Sequence, residues 1–219
     1  MLDALMLQTL GAFHLNFTEI VGTSILLQIS RTNLLVACPA CHHYSRRVHS
    51  RYTRTVADLP FSDRIVKLKI KVRRFFCANS ACSSFTFVEP LSPAIPPFAR
   101  RTQRLTEALV NITYGLVGEA GARLAFLLKM PSSSRTLLRL LNAQPIPQYP
   151  TPRVLGVDEW SWKKGGIYGA ILVDLERRSP VELLKDRTAE TFAKWLQTHP
   201  GVEIICRDRD TVLAVKSQF

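Results

Sequence analysis

The chain has 219 residues, a formal charge of +12 and 47% hydrophobic content, too apolar for disorder as a global description. It has no run of about 20 apolar residues, so no transmembrane helix is expected. The opening "MLDALMLQTLGAFHLNF" carries Asp3 and lacks a basic leader, so it does not read as a secretory signal. Five cysteines, four of them in two close pairs, favour a reducing, cytoplasmic setting and a metal over a disulfide framework.

Residues 1–92 are strand-like. "HLNFTEIVGTSILLQIS" and "RIVKLKIKVRRFFC" alternate with period two, the second placing Val66, Leu68, Ile70 and Val72 opposite Lys67, Lys69, Lys71 and Arg73. Cys38-Pro-Ala-Cys41 and Cys77-Ala-Asn-Ser-Ala-Cys82 flank this alternation. Zinc takes four soft ligands in a tetrahedron, and two short cysteine loops can each donate two. The 35 residues between the pairs suffice for a hairpin that joins them. Four thiolates would close the coordination shell and make the site structural. His42, His43 and His49 are possible substitutes for one cysteine.

Charge is concentrated around these loops. Residues 46–105 hold 13 Lys and Arg against Asp58, Asp63 and Glu89, whereas residues 151–219 are nearly balanced, with 11 basic and 10 acidic side chains. Such an excess points to a polyanion, most simply nucleic acid. Arg46, Arg47, Arg51 and Arg54, interleaved with Tyr44 and Tyr52, follow the first cysteine pair and extend the surface offered by Lys67, Lys69, Lys71 and Arg73. A solvated cationic face is the plain alternative, and strand lysines also block edge-to-edge aggregation.

The connector "PLSPAIPPFAR" interrupts regular structure, and residues 99–142 then read as helices: Arg101 to Ile112, Gly118 to Leu128 and Ser134 to Leu141. Ser132 or Ser133 suits the cap of the third. The last two form a candidate helix-turn-helix about Lys129–Ser132, with Arg135 and Arg139 on one face and Leu137, Leu138 and Leu141 expected inward. A plain helical linker bundle fits the pattern nearly as well.

After a second connector, "NAQPIPQYPTPR", residues 152–219 run strand, strand, strand, helix, strand. Asp158 ends the first of these strands, in "VLGVDEWSWK", and Asp208 ends the last, in "VEIICRD". This is the order of a ribonuclease H-like fold, in which the first and fourth strands are neighbours. Carboxylates at neighbouring strand tips can hold Mg²⁺ or Mn²⁺ for two-metal phosphoryl transfer. Asp210 is the alternative to Asp208, and a strand-end turn acid is the alternative reading of Asp158.

The conjunction of "CPAC", "RVHSRYTRTVADLP", "CANSAC", "PFARRTQRL", "GEAGARLAFLLKMPSSSRTLLR", "VLGVDEWSWKKGGIYGAILVDLERRSPVELLKDR" and "WLQTHPGVEIICRDR", in this order, resembles the N-terminal part of the transposases of the ISL3 group of bacterial insertion sequences. The resemblance spans about residues 10 to 209. It implies a multidomain α+β chain: a β-rich zinc-binding domain (1–92), a helix-turn-helix segment (99–142) and an incomplete ribonuclease H-like domain (152–219). It further implies Asp158 and Asp208 as the first two catalytic acids of an Asp-Asp-Glu set performing metal-dependent DNA cleavage and strand transfer. Double-stranded DNA of the terminal inverted repeats is the expected partner, with a second copy or a full-length transposase beside it, in a bacterial, nucleoid-associated setting. No acid follows Asp210. The expectation is therefore a truncated, catalytically impaired copy that retains DNA binding. A repressor occupying the transposon ends and a zinc ribbon acting on RNA are the competing readings.

Overall fold

Alternation along Arg64–Phe76 produces the strand on which the first half of the protein is built. The computed structural model describes residues 10, 13–146, 149–163 and 166–207. Two compact units divide after Gln144.

In the first unit, β1 (His14–Val21) and β2 (Ser24–Ser30) form a hairpin, followed by the short pair β3 (Val36–Ala37) and β4 (Tyr44–Ser45). The long strands β5 (Val48–Phe61) and β6 (Arg64–Phe76) form a second hairpin, and β7 (Thr86–Val88) pairs with the end of β6. The main sheet runs β1-β2-β6-β5, with β2 parallel to β6. Ser62 and Asp63, at φ 45° and 59°, close the β5–β6 hairpin. Two successive left-handed residues give the turn a twist that matches that of the strands.

One sheet face buries Ile25, Leu27, Ile29, Val56, Val66, Leu68, Ile70 and Val72. Leu91 and Ile95 complete this core from within the proline-rich connector, which therefore plugs the sheet. At the far end of β6 the strand changes allegiance. Phe75 points to the opposite face and is fully buried with Cys38 and Phe87 in a second, smaller core.

Three helices follow: α1 (Gln103–Gly115), α2 (Glu119–Leu127) and α3 (Ser134–Asn142). Thr102 caps α1 and Ser133 caps α3, each hydroxyl accepting an N–H of the first turn. Leu105, Leu109, Ala125, Met130 and Leu137 form their core, and Ala57 and Leu59 of β5 pack against it. The segments expected as two separate domains thus share one unit. Leu137 is fully buried, but Leu138 is 39% exposed and Leu140 packs inward in its place. At 100° per residue, Leu140 and Leu141 straddle the direction of Leu137, while Leu138 points a quarter-turn away. The expected inward set is corrected accordingly.

The second unit contains β8 (Val154–Lys163), β9 (Ile167–Asp174), β10 (Ser179–Leu184), α4 (Ala189–Thr198) and β11 (Ile204–Arg207). Its sheet order is β10-β9-β8-β11, antiparallel except for the parallel β8–β11 pair. Phe192 and Trp195 of α4 cover Leu155, Val157, Ala170 and Leu172. The register puts Gly156, Asp158, Ile171 and Val173 on the opposite face.

Candidate metal centre and nucleic-acid surface

Two tight turns bring the cysteines together. In the first, between β3 and β4, the Cys38 carbonyl accepts from His42 N (2.8 Å) and Cys38 N donates to the His43 carbonyl (2.9 Å). His42 adopts φ 60° to make the turn. In the second, Cys77 N donates to the Phe85 carbonyl (2.9 Å) and Cys82 N to the Asn79 carbonyl (3.2 Å). The β5–β6 hairpin spans the sequence between the two turns, as its length allows.

All four Sγ atoms lie within 4.8 Å of one another. Cys38 and Cys82 sulfurs are 4.0 Å apart, and those of Cys41 and Cys77 are 3.5 Å apart. Tetrahedral zinc with Zn–S bonds of about 2.3 Å requires sulfurs about 3.8 Å apart, so the cage fits the ion. Four protein ligands leave no open position for substrate, and the cluster supports structural zinc. Without metal the thiols cannot all ionise. The His43 N–H draws Cys41 down to about 6. The Asn79 N–H favours the Cys77 thiolate, but desolvation and the neighbouring sulfurs outweigh it and push Cys77 up to about 12. Cys82 is also raised: the N–H of Ser84 is outweighed by desolvation and the Cys41 sulfur. Zinc replaces those protons on binding.

The cationic residues divide by what holds them. Lys67, Lys69 and Lys71 are exposed on one face of β6, between Leu26, Gln28 and Ser30 of β2 and Ala57, Thr55 and Thr53 of β5. Among the described residues none of the three lysines forms an ion pair. Arg73 departs from the expected exposed row. Its guanidinium pairs with buried Glu89 (2.7 Å), donates to the Asn33 carbonyl (2.8 Å) and lies over the Phe75 ring. Arg54 donates to the Ala99 carbonyl (2.6 Å), tying β5 to the connector. Arg46, Arg47 and Arg51 are exposed, as are Arg135 and Arg139 on α3. Asp58 is buried and accepts from Arg104 Nε and the Thr102 hydroxyl, both at 2.7 Å. Of the three acids in the basic window, Asp58 and Glu89 are therefore consumed inside the fold.

Two arginines carry roles that spacing does not reveal. Burial, together with the nearby charge of Arg139, lowers the pKa of half-buried Arg101. Arg187 Nη1 donates to both carboxylate oxygens of Glu159 (2.8 and 2.7 Å) and its guanidinium lies over Tyr168. Asp158 beside it is exposed and, among the described residues, accepts only from the Glu159 N–H (2.7 Å). Gly156, Asp158, Val173, Leu175 and Cys206 border a depression of about 390 Å³. Arg207 pairs with Val157 in the parallel β8–β11 ladder. Asp208 and Asp210 lie outside the described residues. No helix among the described residues is long and apolar enough to cross a membrane.

Comparison with known proteins bears on this geometry. Residues 35–82, which contain both cysteine turns and the hairpin between them, match the family described as the zinc-finger of transposase IS204/IS1001/IS1096/IS1165. The chain is 24% identical over 206 residues to the transposase for insertion sequence element IS1001 of Bordetella parapertussis. That alignment covers 91% of the chain and 50% of the relative, so the chain spans about half the length of the curated protein it matches. No solved structure matches. Residues 35–82 are thus similar to the zinc finger of these transposases, and most of the chain is similar to one such transposase.

Proposed function

We propose that the chain is the DNA-binding portion of an ISL3-type transposase, holding the terminal inverted repeats of its element. The observation that carries this reading is the exposed row Lys67, Lys69, Lys71. It is unpaired among the described residues and lies on the same strand face as Phe75, which packs on the cysteine cluster. Thr53, Thr55 and Gln28 flank the row with neutral donors suited to phosphate oxygens. Arg51, opposite Arg73 in the β5–β6 ladder, extends it, while Arg47 lies over Phe76 on the other side of β6. In this reading α2, its following turn and α3 act as a helix-turn-helix, with Arg135 and Arg139 facing the duplex. The test is a salt titration of binding to terminal-repeat duplex and to a scrambled duplex. Replacing all three lysines with Gln should flatten the slope of log K against log salt by about 2.7, roughly 0.9 for each phosphate no longer neutralised. An unchanged slope refutes the assignment.

The β8–β11 pairing favours a catalytic role for the second unit, as the first part of a ribonuclease H-like domain. Arg207 lies opposite Val157. Asp158 follows Val157 in β8, Asp208 follows Arg207 in the sequence, and in this proposal the two share Mg²⁺ or Mn²⁺. The ion would polarise the scissile phosphate and lower the pKa of the attacking water or hydroxyl. Arg187 engages Glu159, which leaves Asp158 as the carboxylate of the dipeptide with no ion pair among the described residues. Metal-dependent nicking of terminal-repeat DNA, abolished in Asp158→Asn, would support this. Binding without nicking in either metal would favour a non-catalytic occupant of the transposon ends, acting beside a full-length transposase.

A further inference from the structure

Beside the second cysteine turn, on the side of β6 opposite Phe75, lies a group of rings that neither core absorbs. Phe85 is 78% exposed, the highest value for any aromatic side chain of the zinc ribbon. It meets Phe76 edge to face, with centroids 5.5 Å apart and planes at 83°. His49 contacts the same Phe76 ring at 4.8 Å and 70°. The Arg47 guanidinium lies over that ring at 4.7 Å. The backbone fixes these partners: Phe76 N donates to the Arg47 carbonyl (2.9 Å), and the Cys77–Phe85 hydrogen bond anchors the base of the Phe85 loop. Arg74, two residues before Phe76 on the same strand face, is exposed.

Charge decides what could cover these rings. The sequence contains no Asp or Glu from residue 20 to 57 or from 64 to 88. An acid-free, arginine-rich rim disfavours a basic or neutral protein surface and suits a polyanion. A paired duplex presents its bases only as groove edges. An open ring backed by other rings and by guanidinium offers instead a face on which an unpaired base can stack.

We infer that Phe85, supported by Phe76, His49 and Arg47, is a stacking platform for an unpaired nucleobase, with Arg47 and Arg74 on the adjoining phosphates. The ribbon then engages single-stranded or locally opened DNA, beyond any grip it has on duplex. This rests on the proposed nucleic-acid role and specifies the state of the strand it recognises.

The test uses the full chain, loaded with zinc, and three labelled oligonucleotides of one sequence: duplex, single strand, and duplex with a central unpaired bulge. Anisotropy titrations compare the wild type with Phe85→Ala and Phe85→Trp, with zinc content measured as the control for folding. Phe85→Ala should weaken single-strand and bulge binding about 5- to 150-fold, the range of stacking one base on an aromatic side chain. Duplex affinity should change less than about twofold, and Phe85→Trp should retain wild-type binding. Equal weakening of all three oligonucleotides, or of none, overturns the platform while leaving the DNA-binding role intact. Failure of the wild type to bind any of them overturns both. A change in sedimentation of Phe85→Ala without a change in DNA affinity would also overturn the inference, by making the patch a contact between copies.

Discussion

Removing zinc should dissolve the ribbon and spare the sheet beside it. Among the described residues, the core around the cysteines buries only Cys38, Phe75 and Phe87. At about 1.5–3 kcal/mol for each large apolar side chain, Phe75 and Phe87 together contribute about 3–6 kcal/mol. Structural zinc contributes about 10–16 kcal/mol at neutral pH, so the ion is the dominant stabilising element of this part. The main sheet has its own core, built on Leu27, Ile29, Leu68 and Ile70 and independent of the cysteines. Chelation, or Cys38→Ser, should therefore expose the amides of residues 36–47 and 77–86 while β2 and the Arg64–Val72 part of β6 stay protected. Hydrogen exchange read by peptide mass spectrometry, with metal quantified alongside at one equivalent per chain, measures this directly. Equal protection of the ribbon with and without metal, or collapse of the entire sheet with it, would refute the reasoning. A proton count provides a second reading of the same experiment. At pH 7.5 Cys41 is already ionised, while Cys77, held near 12, and the raised Cys82 must each lose a proton to the solvent. Binding should release at least two protons, and zinc affinity should fall at least about 100-fold per unit of pH lowered towards 6.

Asp58→Ala removes the buried acceptor shared by Arg104 and the Thr102 cap, and should cost about 3–5 kcal/mol in a urea melt of the first unit; Asp58→Asn, which keeps an acceptor, should cost less. Gly121→Ala drives its Cβ into the Leu116 carbonyl oxygen and should cost at least about 1–3 kcal/mol, whereas Leu138→Ala should stay within about 0.5 kcal/mol; equal melting temperatures for the two would contradict the helix packing. Asp186 has its pKa lowered by the Thr188 N–H and by the hydroxyls of Thr188 and Thr191 at the start of α4. Its contribution is present above the ordinary carboxylate range near pH 4 and is lost as pH falls through the lower folded value. Asp186→Ala should therefore flatten the acid limb of the second unit's stability below about pH 4, and identical limbs in stability measured from pH 2.5 to 6 would count against that.

The parts of this fold that were legible in the sequence are those encoded locally. Cysteine spacing announced the metal cage. Two-residue alternation located β1, β2 and β6, and serine before an apolar helical pattern located the α3 cap. The parts that escaped depend on partners remote in sequence. Arg73 reads as another surface cation because Glu89, 16 residues away, reaches it only once β7 pairs with β6. Asp58 likewise reads as a surface acid until α1 brings Arg104 to it. Leu91 and Ile95 sit among prolines and read as linker, since nothing local reveals that they close the sheet's core. Leu138 is the exception, because continuing the helical period from Leu137 already selects Leu140 and Leu141 in its place. The rings around Phe85 converge from β5, β6 and the second cysteine turn, and no single window of sequence contains them.

β6 serves two cores of the first unit from opposite sides, Val66 to Val72 facing one and Phe75 the other. An inserted or deleted residue between Val72 and Phe75 would turn every later side chain over, sending Phe75 outward and presenting Phe76 to the cysteines. Length variation among descendants of this chain is thus barred from that stretch and confined to places such as the Ser62–Asp63 bend, where no side chain has an assigned side to keep.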